Sequence, residues 1–230
     1  MVLPRWFCRY FGLAGQPEAL PSIERQGDER LLLHVGCGQQ TLDDLPTGFH
    51  EGFREIRVDL DPDARPDLIT SFTDLSAIPD ASIDAIFSSH TIEHLYWFEV
   101  PRALAECRRV LRSDGLLVIT CPDLQSAAAM IAEDRIDAVA YHSPAGPITP
   151  FDIVYSYRPF VQMAPQTMSH KCGFTLRTLS EAVRDAGFQS FIGHRRAQLF
   201  DLWLLARPAP TPEQELSELA ARFLAAPTSA

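Results

Sequence analysis

The chain of 230 residues contains one lysine, Lys171, among its 20 basic residues. A phosphate-binding loop of the Gly-x-x-x-x-Gly-Lys type needs a lysine directly after its glycines. The Tyr-x-x-x-Lys pair of short-chain dehydrogenases needs a lysine four residues after a tyrosine. Because Lys171 stands in neither context, the sequence excludes both kinds of site.

Basic charge is also scarce, since 30 acidic residues outnumber the 20 basic ones and leave a formal net charge of −10. Affinity for nucleic acid depends mainly on basic groups that displace counterions from the phosphate backbone. We therefore expect no nucleic-acid partner.

Cysteines and long apolar runs are few. No two of the five cysteines have the short spacing of a zinc site or a redox dithiol, so we expect no metal site and a reducing, cytoplasmic location. No apolar run has the length of a signal peptide core or a membrane span. Membrane association through Arg5-Trp6-Phe7 is an alternative, although such short segments more often pack on their own domain.

Apolar runs of strand length alternate with helical patterns, which predicts an α/β fold with a doubly wound, mostly parallel sheet of seven strands. A helix is predicted from Pro101 to a stop at Ser113-Asp114-Gly115, and another from a cap at Thr175 to Gly187. The predicted strands are Arg30–Val35, Glu55–Asp59, Leu68–Ser71, Ile83–Ser88, Leu116–Cys121, Gln189–Gly193 and Gln198–Ala206.

Residues 30–206 are predicted to form this domain, with an N-terminal extension over 1–29 and a tail helix within 207–230. Residues 141–172 contain five prolines and no sustained period, which is typical of an irregular lid or binding segment; an inert surface insertion is the alternative. The tail has an apolar stripe that either packs on its own domain or forms a homodimer contact. The stripe consists of Leu216, Leu219, Phe223 and Leu224.

The strongest motif is a buried strand that runs into the turn Gly36-Cys37-Gly38. Glycines there let the backbone turn sharply and approach a ligand closely. About twenty residues later, Asp59 ends the second strand, where a carboxylate can accept hydrogen bonds from the two hydroxyls of a ribose. Together these features indicate a cofactor that contains a nucleoside.

Two further elements follow the third and fourth strands. Asp74 is placed to accept a hydrogen bond from an adenine amino group. Ser88, Ser89 and His90 end the fourth strand, which lies beside the first strand in a doubly wound sheet. The crevice between those two strands is the topological switch point, where such folds bind ligands.

In their order and spacing, these motifs resemble the class I S-adenosylmethionine-dependent methyltransferases over about residues 31–124, with a weaker likeness over 170–203. Within that class, the chain is most similar to bacterial methyltransferases that accompany glycosyltransferases in surface-polysaccharide biosynthesis. The segments that carry the resemblance are His34–Gly38, Val58–Asp61, Asp74-Leu75, Ser82–Ile86, Glu93–Leu95, Leu104–Leu111, Asp114–Leu117 and the His-Lys-x-Gly-Phe-Thr run from His170.

The resemblance implies S-adenosylmethionine as the cofactor and assigns its contacts. Gly36 and Gly38 would line the methionine and ribose part, and Asp59 would bind the ribose hydroxyls. Asp74 and Leu75 would contact the adenine, and Ser88, Ser89 and His90 the methionyl end. His34, Cys37 and Leu60 complete the expected contacts.

Three departures from the family pattern keep other interpretations open. His34 stands where the family has Asp or Glu, Gln40 where it has a third glycine, and the connection to the second strand is short. A non-catalytic interaction protein of the same fold is therefore the alternative function. A nicotinamide-dependent enzyme fits less well, because Thr41 occupies the third glycine position of its Gly-x-Gly-x-x-Gly motif.

The predicted acceptor is a small molecule or a saccharide. Methyl transfer needs alignment and, for a hydroxyl acceptor, a base with a pKa near neutrality. His94, His170 and Lys171 are the catalytic candidates, although His94 could instead cap or pack a helix. Tyr96-Trp97-Phe98 could form a substrate wall, but we favour a place in the core.

Overall fold

The structure is a computed structural model and describes residues 27–224. Seven strands form one sheet in the order β3-β2-β1-β4-β5-β9-β8, in which β9 runs opposite to the other six strands. The doubly wound, mostly parallel sheet predicted from the sequence is therefore confirmed. The strands are β1 (Arg30–Val35), β2 (Phe53–Asp59), β3 (Leu68–Ile69), β4 (Ile83–Ser89), β5 (Leu111–Pro122), β6 (Tyr141–Ser143), β7 (Gly146–Ile148), β8 (Ser190–Arg196) and β9 (Asp201–Arg207).

The described α-helices flank this sheet or lie in the segment that carries the β6–β7 hairpin. They are α1 (Val100–Val110), α2 (Leu124–Ala132), α3 (Pro150–Tyr155), α4 (Arg158–Met163), α5 (Pro165–Met168), α6 (Leu176–Asp185) and α7 (Glu213–Phe223). The expected cap of α6 is confirmed, since the Thr175 side chain accepts a hydrogen bond from the amide of Thr178. No helix within residues 27–224 is both long and apolar enough to cross a membrane.

The boundary between α1 and β5 differs from the prediction. The helix ends at Val110 and the strand begins at the next residue, so that Ser113-Asp114-Gly115 lies inside the strand. Pairing with β4 shifts register there, because Ile83 pairs with Leu111 but Ala85 pairs with Leu116. The polar Ser-Asp-Gly run thus forms an irregularity in the ladder rather than a separate loop.

One face of the sheet is covered by two amphipathic helices. Leu104 and Cys107 of α1, together with Leu179 and Val183 of α6, are fully buried against it. Because these positions recur at helical spacing, each helix turns one apolar stripe toward the strands.

The opposite face has no α-helix between β1 and β2 within the described residues. Two 3₁₀ turns, Leu42–Asp44 and Thr47–Phe49, stand in place of the usual first helix. The prediction of a shortened first helix is therefore confirmed. Helix α7 fills the remaining space: the ring centroids of Phe49 and Phe223 lie 4.8 Å apart. The apolar stripe that suggested a dimer contact is therefore covered by the chain's own domain.

Residues 141–172 are not irregular as expected, because they contain β6, β7, α3, α4 and α5. Each element is only three to six residues long, too short to give a visible period in the sequence. Ile148 and Ile153 pack on Ala127 of α2. The Thr149 hydroxyl caps α3 by accepting from the Asp152 amide at 3.3 Å, and it donates to the Asp152 carboxylate at 2.6 Å. The segment is thus anchored to the domain by its own small core.

The predicted N-terminal extension lies almost entirely outside the described residues. Arg5-Trp6-Phe7, on which the membrane alternative depends, lies there as well.

Candidate active site

The turn after β1 requires its glycines. Gly36 and Gly38 have φ angles of +70° and +50°, which side-chain-bearing residues rarely adopt. A Cβ atom on Gly36 would lie 2.1 Å from the Thr91 hydroxyl oxygen, whereas a Cβ atom on Gly38 would meet nothing within 4 Å. Gly36 therefore lets the segment after β4 pack against the turn, and Gly38 faces open space.

Asp59 ends β2 directly beside this turn. One oxygen of its carboxylate accepts a hydrogen bond from the Gly38 amide at 2.8 Å, and the other accepts from the Asp61 amide at 2.9 Å. A carboxylate has about four lone-pair sites, so both oxygens can still accept from ribose hydroxyls. The exposed side chain of Leu60 follows at the rim. Carboxylate acceptors and an apolar side chain thus lie together at the end of β2.

His34 and Cys37 do not line the cleft as expected, because both side chains are buried beneath the turn. The Nδ1 atom of His34 lies 2.6 Å from Glu55, whose second oxygen accepts from the Leu42 amide. His34 therefore ties the short first connection to β2. Burial raises the pKa of the Cys37 thiol to about 11, so this side chain stays uncharged.

The two residues assigned to the adenine differ in their surroundings. Asp74 is exposed, and hydrogen bonds from Ser76 lower the pKa of its carboxyl group. Leu75 is fully buried, its amide donates to Glu106, and its carbonyl accepts from Arg109. Asp74 is therefore accessible and stays a predicted adenine contact, whereas Leu75 does not fit the expected contact, because its side chain is buried and its backbone groups bind α1.

The carboxyl end of β4 lies next to the turn, because Ser88 pairs with Val35 in the parallel ladder. The Ser88 hydroxyl is buried without a hydrogen-bond partner among the described residues. The Ser89 hydroxyl lies 2.7 Å from that of Thr120. His90 adopts a left-handed conformation with φ of +50°. The chain changes direction there and enters the 3₁₀ turn Ile92–His94.

His90, Glu93, His94 and His170 form a compact group that we name the Glu–His cluster. Glu93 is 1% exposed, and neither of its carboxylate oxygens has a hydrogen-bond partner among the described residues. Its Oε1 atom lies 3.3 Å from Nδ1 of His90 and 4.0 Å from Nε2 of His170. A buried carboxylate thus faces imidazole rings from two distant segments.

His94 and His170 lie edge to face, with ring centroids 4.9 Å apart. The Nδ1 atom of His94 lies 3.2 Å from the Ser169 carbonyl oxygen, and that of His170 lies 2.9 Å from the Ile153 carbonyl oxygen. A carbonyl oxygen can only accept, so each Nδ1 atom donates a proton to its bond. In the neutral rings, each Nε2 atom therefore carries a free lone pair.

Charge in the cluster is balanced between the carboxylate and the rings. Burial favours a higher pKa for Glu93, but the close approach of the His90 ring, whose Nδ1 atom lies 3.3 Å from Oε1, outweighs it and lowers the pKa of this carboxyl group. Burial lowers the pKa of His170 despite the attraction of Glu93. His170 is therefore neutral at pH 7 and can act as a base or a ligand.

Lys171 holds the two segments of the cluster together. Its ammonium group donates to the His94 carbonyl at 2.8 Å, and its amide donates to the Glu93 carbonyl at 2.8 Å. The nitrogen also lies 5.4 Å from the centre of the Tyr96 ring. These contacts support a positioning role for Lys171 beside the two predicted histidines.

The aromatic run that follows the cluster is not part of the core, contrary to the interpretation we favoured. The side chains of Tyr96, Trp97 and Phe98 are 49%, 74% and 61% exposed. The rings of Tyr96 and Phe98 stack at 5.4 Å with an angle of 5° between their planes. They form an aromatic surface next to the cluster.

Two residues of this site were not among the predicted contacts. Thr91 closes over Gly36, and Glu93 forms the buried centre of the Glu–His cluster. The spacing His90-x-x-Glu93-His94 is the signal that could have revealed the cluster, since one tight turn brings the three side chains together.

Comparison with known proteins agrees with this geometry. A family model described as a methyltransferase domain matches residues 33–119, which include the end of β1, all of β2 and β4, and the turns that follow these strands. Two curated proteins, from strains CDC 1551 and H37Rv of Mycobacterium tuberculosis, are described as probable S-adenosylmethionine-dependent methyltransferases. Each is 44% identical to this chain over 46 residues, which amount to 20% of this chain and only 16% of the relative.

Solved structures share the fold. A protein from Pyrococcus horikoshii has a TM-score of 0.51 at 17% identity, with 78% of this chain and 82% of that protein covered. A SAM-dependent methyltransferase from Archaeoglobus fulgidus has a TM-score of 0.50 at 17% identity, with coverage of 78% and 86%. The sequence match falls on the strands and turns of the candidate site and the structural match spans the sheet, so the chain matches a methyltransferase domain over residues 33–119 and shares the fold of an S-adenosylmethionine-dependent methyltransferase.

Proposed function

We propose that the chain transfers a methyl group from S-adenosylmethionine to a hydroxyl group of a small-molecule or saccharide acceptor. One observation carries this proposal: the turn from Gly36 to Gly38, with Asp59 beside it, and the Glu–His cluster lie together at the carboxyl ends of adjacent strands. Thr91, which contacts the turn at Gly36, lies within three residues of both Glu93 and His94. A nucleoside site and a proton-accepting site therefore share one crevice.

The cofactor half consists of Gly36, Gly38, Asp59 and Asp74, with Ser88, Ser89 and His90 at the methionyl end. Asp59 would bind the ribose hydroxyls, and Gly38 leaves open space for the cofactor to approach the backbone. When bound, S-adenosylmethionine supplies an activated methyl group, so the protein mainly aligns the acceptor and excludes water.

The acceptor half consists of Glu93, His94 and His170 of the Glu–His cluster. A neutral imidazole with a free Nε2 lone pair can accept the hydroxyl proton, and the low pKa of His170 provides such a group at pH 7. His94 shares this arrangement, while Lys171 fixes the two segments relative to one another. These contacts support His94 and His170 as catalytic residues and Lys171 as a positioning residue.

The aromatic surface favours a saccharide or a flat small molecule as the acceptor. Aromatic rings offer broad apolar faces at a low cost in conformational entropy. The surface formed by Tyr96, Trp97 and Phe98 is exposed and adjoins Lys171 of the acceptor half. The similarity of the His170–Thr175 segment to methyltransferases of surface-polysaccharide biosynthesis points in the same direction.

We assign residues 30–206 to the methyltransferase domain and residues 141–172 to a substrate-covering segment. The carbonyl of Ile153 in this segment accepts from His170, so movement of α3 would also move a ring of the cluster. The four described cysteines are free thiols, which supports the reducing cytoplasmic location that we include in the proposal.

The proposal is tested in two steps on the full chain. Calorimetry with S-adenosylhomocysteine measures cofactor-site binding, with Asp61→Asn as a rim control because the Asp61 side chain accepts only from Asp63 among the described residues. Incubation with isotope-labelled S-adenosylmethionine and candidate saccharides then reveals a labelled methyl product by mass spectrometry. Absence of binding in the first step would instead favour the non-catalytic interaction protein.

A further inference from the structure

The Glu–His cluster has a feature that proton transfer alone does not explain. Glu93 is buried, yet both of its oxygens lack a hydrogen-bond partner among the described residues. Burial of a carboxylate without compensation costs several kcal/mol, so such groups in proteins are usually paired or bind a metal. A positive charge is therefore expected next to this carboxylate.

The two imidazole rings have the orientation of metal ligands. In metal sites, the ring nitrogen that does not bind the metal almost always donates to a carbonyl or a carboxylate. His94 and His170 both direct Nδ1 at a backbone carbonyl oxygen. This arrangement leaves Nε2 as the free nitrogen of each ring, and that of His170 faces Glu93.

We propose that Glu93, His94 and His170 bind a divalent transition-metal ion. One potential ligand atom from each of the three side chains lies within 4.8 Å of the others. One carboxylate and two imidazoles form a set that suits Mn²⁺, Fe²⁺, Co²⁺ or Zn²⁺ better than Mg²⁺ or Ca²⁺, which prefer oxygen ligands. This proposal departs from the expectation of no metal, which considered only cysteine spacing.

Three protein ligands leave coordination positions open. Water or an oxygen of the acceptor can occupy them, and the ion then holds that oxygen beside the cofactor half. Metal binding itself does not depend on methyl transfer, but this role for the ion rests on the proposed function. His90 would lie at the rim of the metal site, since its ring is 47% exposed and approaches Oε1 of Glu93.

The test uses the full chain without a histidine tag, treated with a chelator and then titrated with MnCl₂, CoCl₂ or ZnCl₂ in a calorimeter. We expect one equivalent to bind, and Glu93→Gln and His170→Ala to weaken binding at least tenfold. Glu133→Gln and His194→Ala are the matched controls, because both side chains are exposed and lie outside the cluster. These controls should bind the ion as the unchanged chain does.

A second measurement avoids the risk that a cluster variant fails to fold. Pulsed EPR of Mn²⁺ bound to the unchanged chain, with ¹⁵N-labelled histidine, should show coupling to two imidazole nitrogens. The proposal is overturned if none of the three ions binds, if binding survives in His170→Ala, or if the EPR signal shows no imidazole ligand. Failure to bind any ion would mean that a protonated histidine balances Glu93.

Failure of the proposed function gives a different result. A chain that binds the metal but not S-adenosylhomocysteine would refute methyl transfer and leave the metal site intact. A chain that binds S-adenosylhomocysteine but no metal would refute only the metal site.

Discussion

The two halves of the cleft are built in different ways. The cofactor half uses backbone groups and short side chains that follow successive strands of the sheet, such as the Gly38 amide on Asp59. The acceptor half joins side chains from segments about 75 residues apart, as in the contact between His94 and Ser169. The cofactor half is therefore built from local sequence motifs. The acceptor half depends instead on tertiary contacts between distant segments.

The largest effect is expected at the turn of the cofactor half. Gly36→Ala adds a Cβ atom 2.1 Å from the Thr91 hydroxyl oxygen at a φ of +70°. Left-handed strain of about 1–2 kcal/mol and overpacking of about 1–3 kcal/mol should lower the free energy of unfolding by about 3 kcal/mol. Urea unfolding measures this change, and binding of S-adenosylhomocysteine should be lost.

The control for that variant is Gly187→Ala, which has a φ of +92° and nothing within 4 Å of the added Cβ atom. It should cost only about 1–2 kcal/mol from backbone strain. Adding Thr91→Ala to Gly36→Ala should recover the part of the loss that comes from overpacking. Equal losses in the two glycine variants would show that Gly36 is not packed against Thr91.

The next largest effect is expected for His170→Ala, which should lower turnover without changing cofactor binding. His170→Ala removes a group in which Nδ1 is fixed by Ile153 and Nε2 faces Glu93. Turnover should fall by about 100-fold or more, the usual range for loss of a catalytic acid or base. The dissociation constant for S-adenosylhomocysteine should stay within about a factor of three, since this ligand lacks the acceptor.

His142→Ala on β6 is the matched control, because that side chain is exposed on the same segment. It should leave both turnover and binding unchanged. Parallel losses of turnover and cofactor binding in His170→Ala would contradict the division into two halves.

A smaller effect, on affinity for the cofactor product, is expected at Asp59, which ends β2. Asp59→Asn keeps the shape of the side chain but removes its charge. It also places the new NH₂ group opposite the backbone N–H of Gly38 or Asp61, where a donor faces a donor and no hydrogen bond can form. Loss of a charged hydrogen bond is worth about 1.5–3 kcal/mol, so affinity for S-adenosylhomocysteine should fall by about 30-fold. Calorimetry checks this, and an unchanged affinity would exclude Asp59 from the ribose site.

The smallest effect is expected at the aromatic surface. Trp97→Ala removes a side chain that is 74% exposed and adjoins the acceptor half. We expect KM for the acceptor to rise about fivefold with little change in kcat, because the ring helps to bind the acceptor and takes no part in chemistry. Met163→Ala on α4, where the side chain is 82% exposed, should change neither constant.

The same contrast explains what the sequence could predict. Central strands were found because both of their faces are buried, so that apolar residues run without interruption, as in Leu31–Leu33. The glycine turn and Asp59 were found because their spacing follows directly from the strand order. Both signals are local and need no knowledge of the tertiary structure.

Features that depend on distant contacts were missed or misjudged. Leu75 was assigned to the cofactor, but Glu106 and Arg109 of α1 bind its backbone. Glu93 lies 4.0 Å from Nε2 of His170, which comes from a segment far away in the sequence. Tyr96-Trp97-Phe98 was expected in the core because an apolar run does not reveal which surface it occupies.

The position of β9 has a consequence for the order in which this protein can fold during synthesis. Trp203 of β9 pairs with Thr120 of β5, and Phe223 of α7 covers Phe49. A nascent chain that has not yet extended past residue 200 lacks the strand that joins β5 to β8 and exposes the aromatic face around Phe49. Such long-range pairing is slow, so we expect this apolar surface to stay open to aggregation until residue 223 has been added.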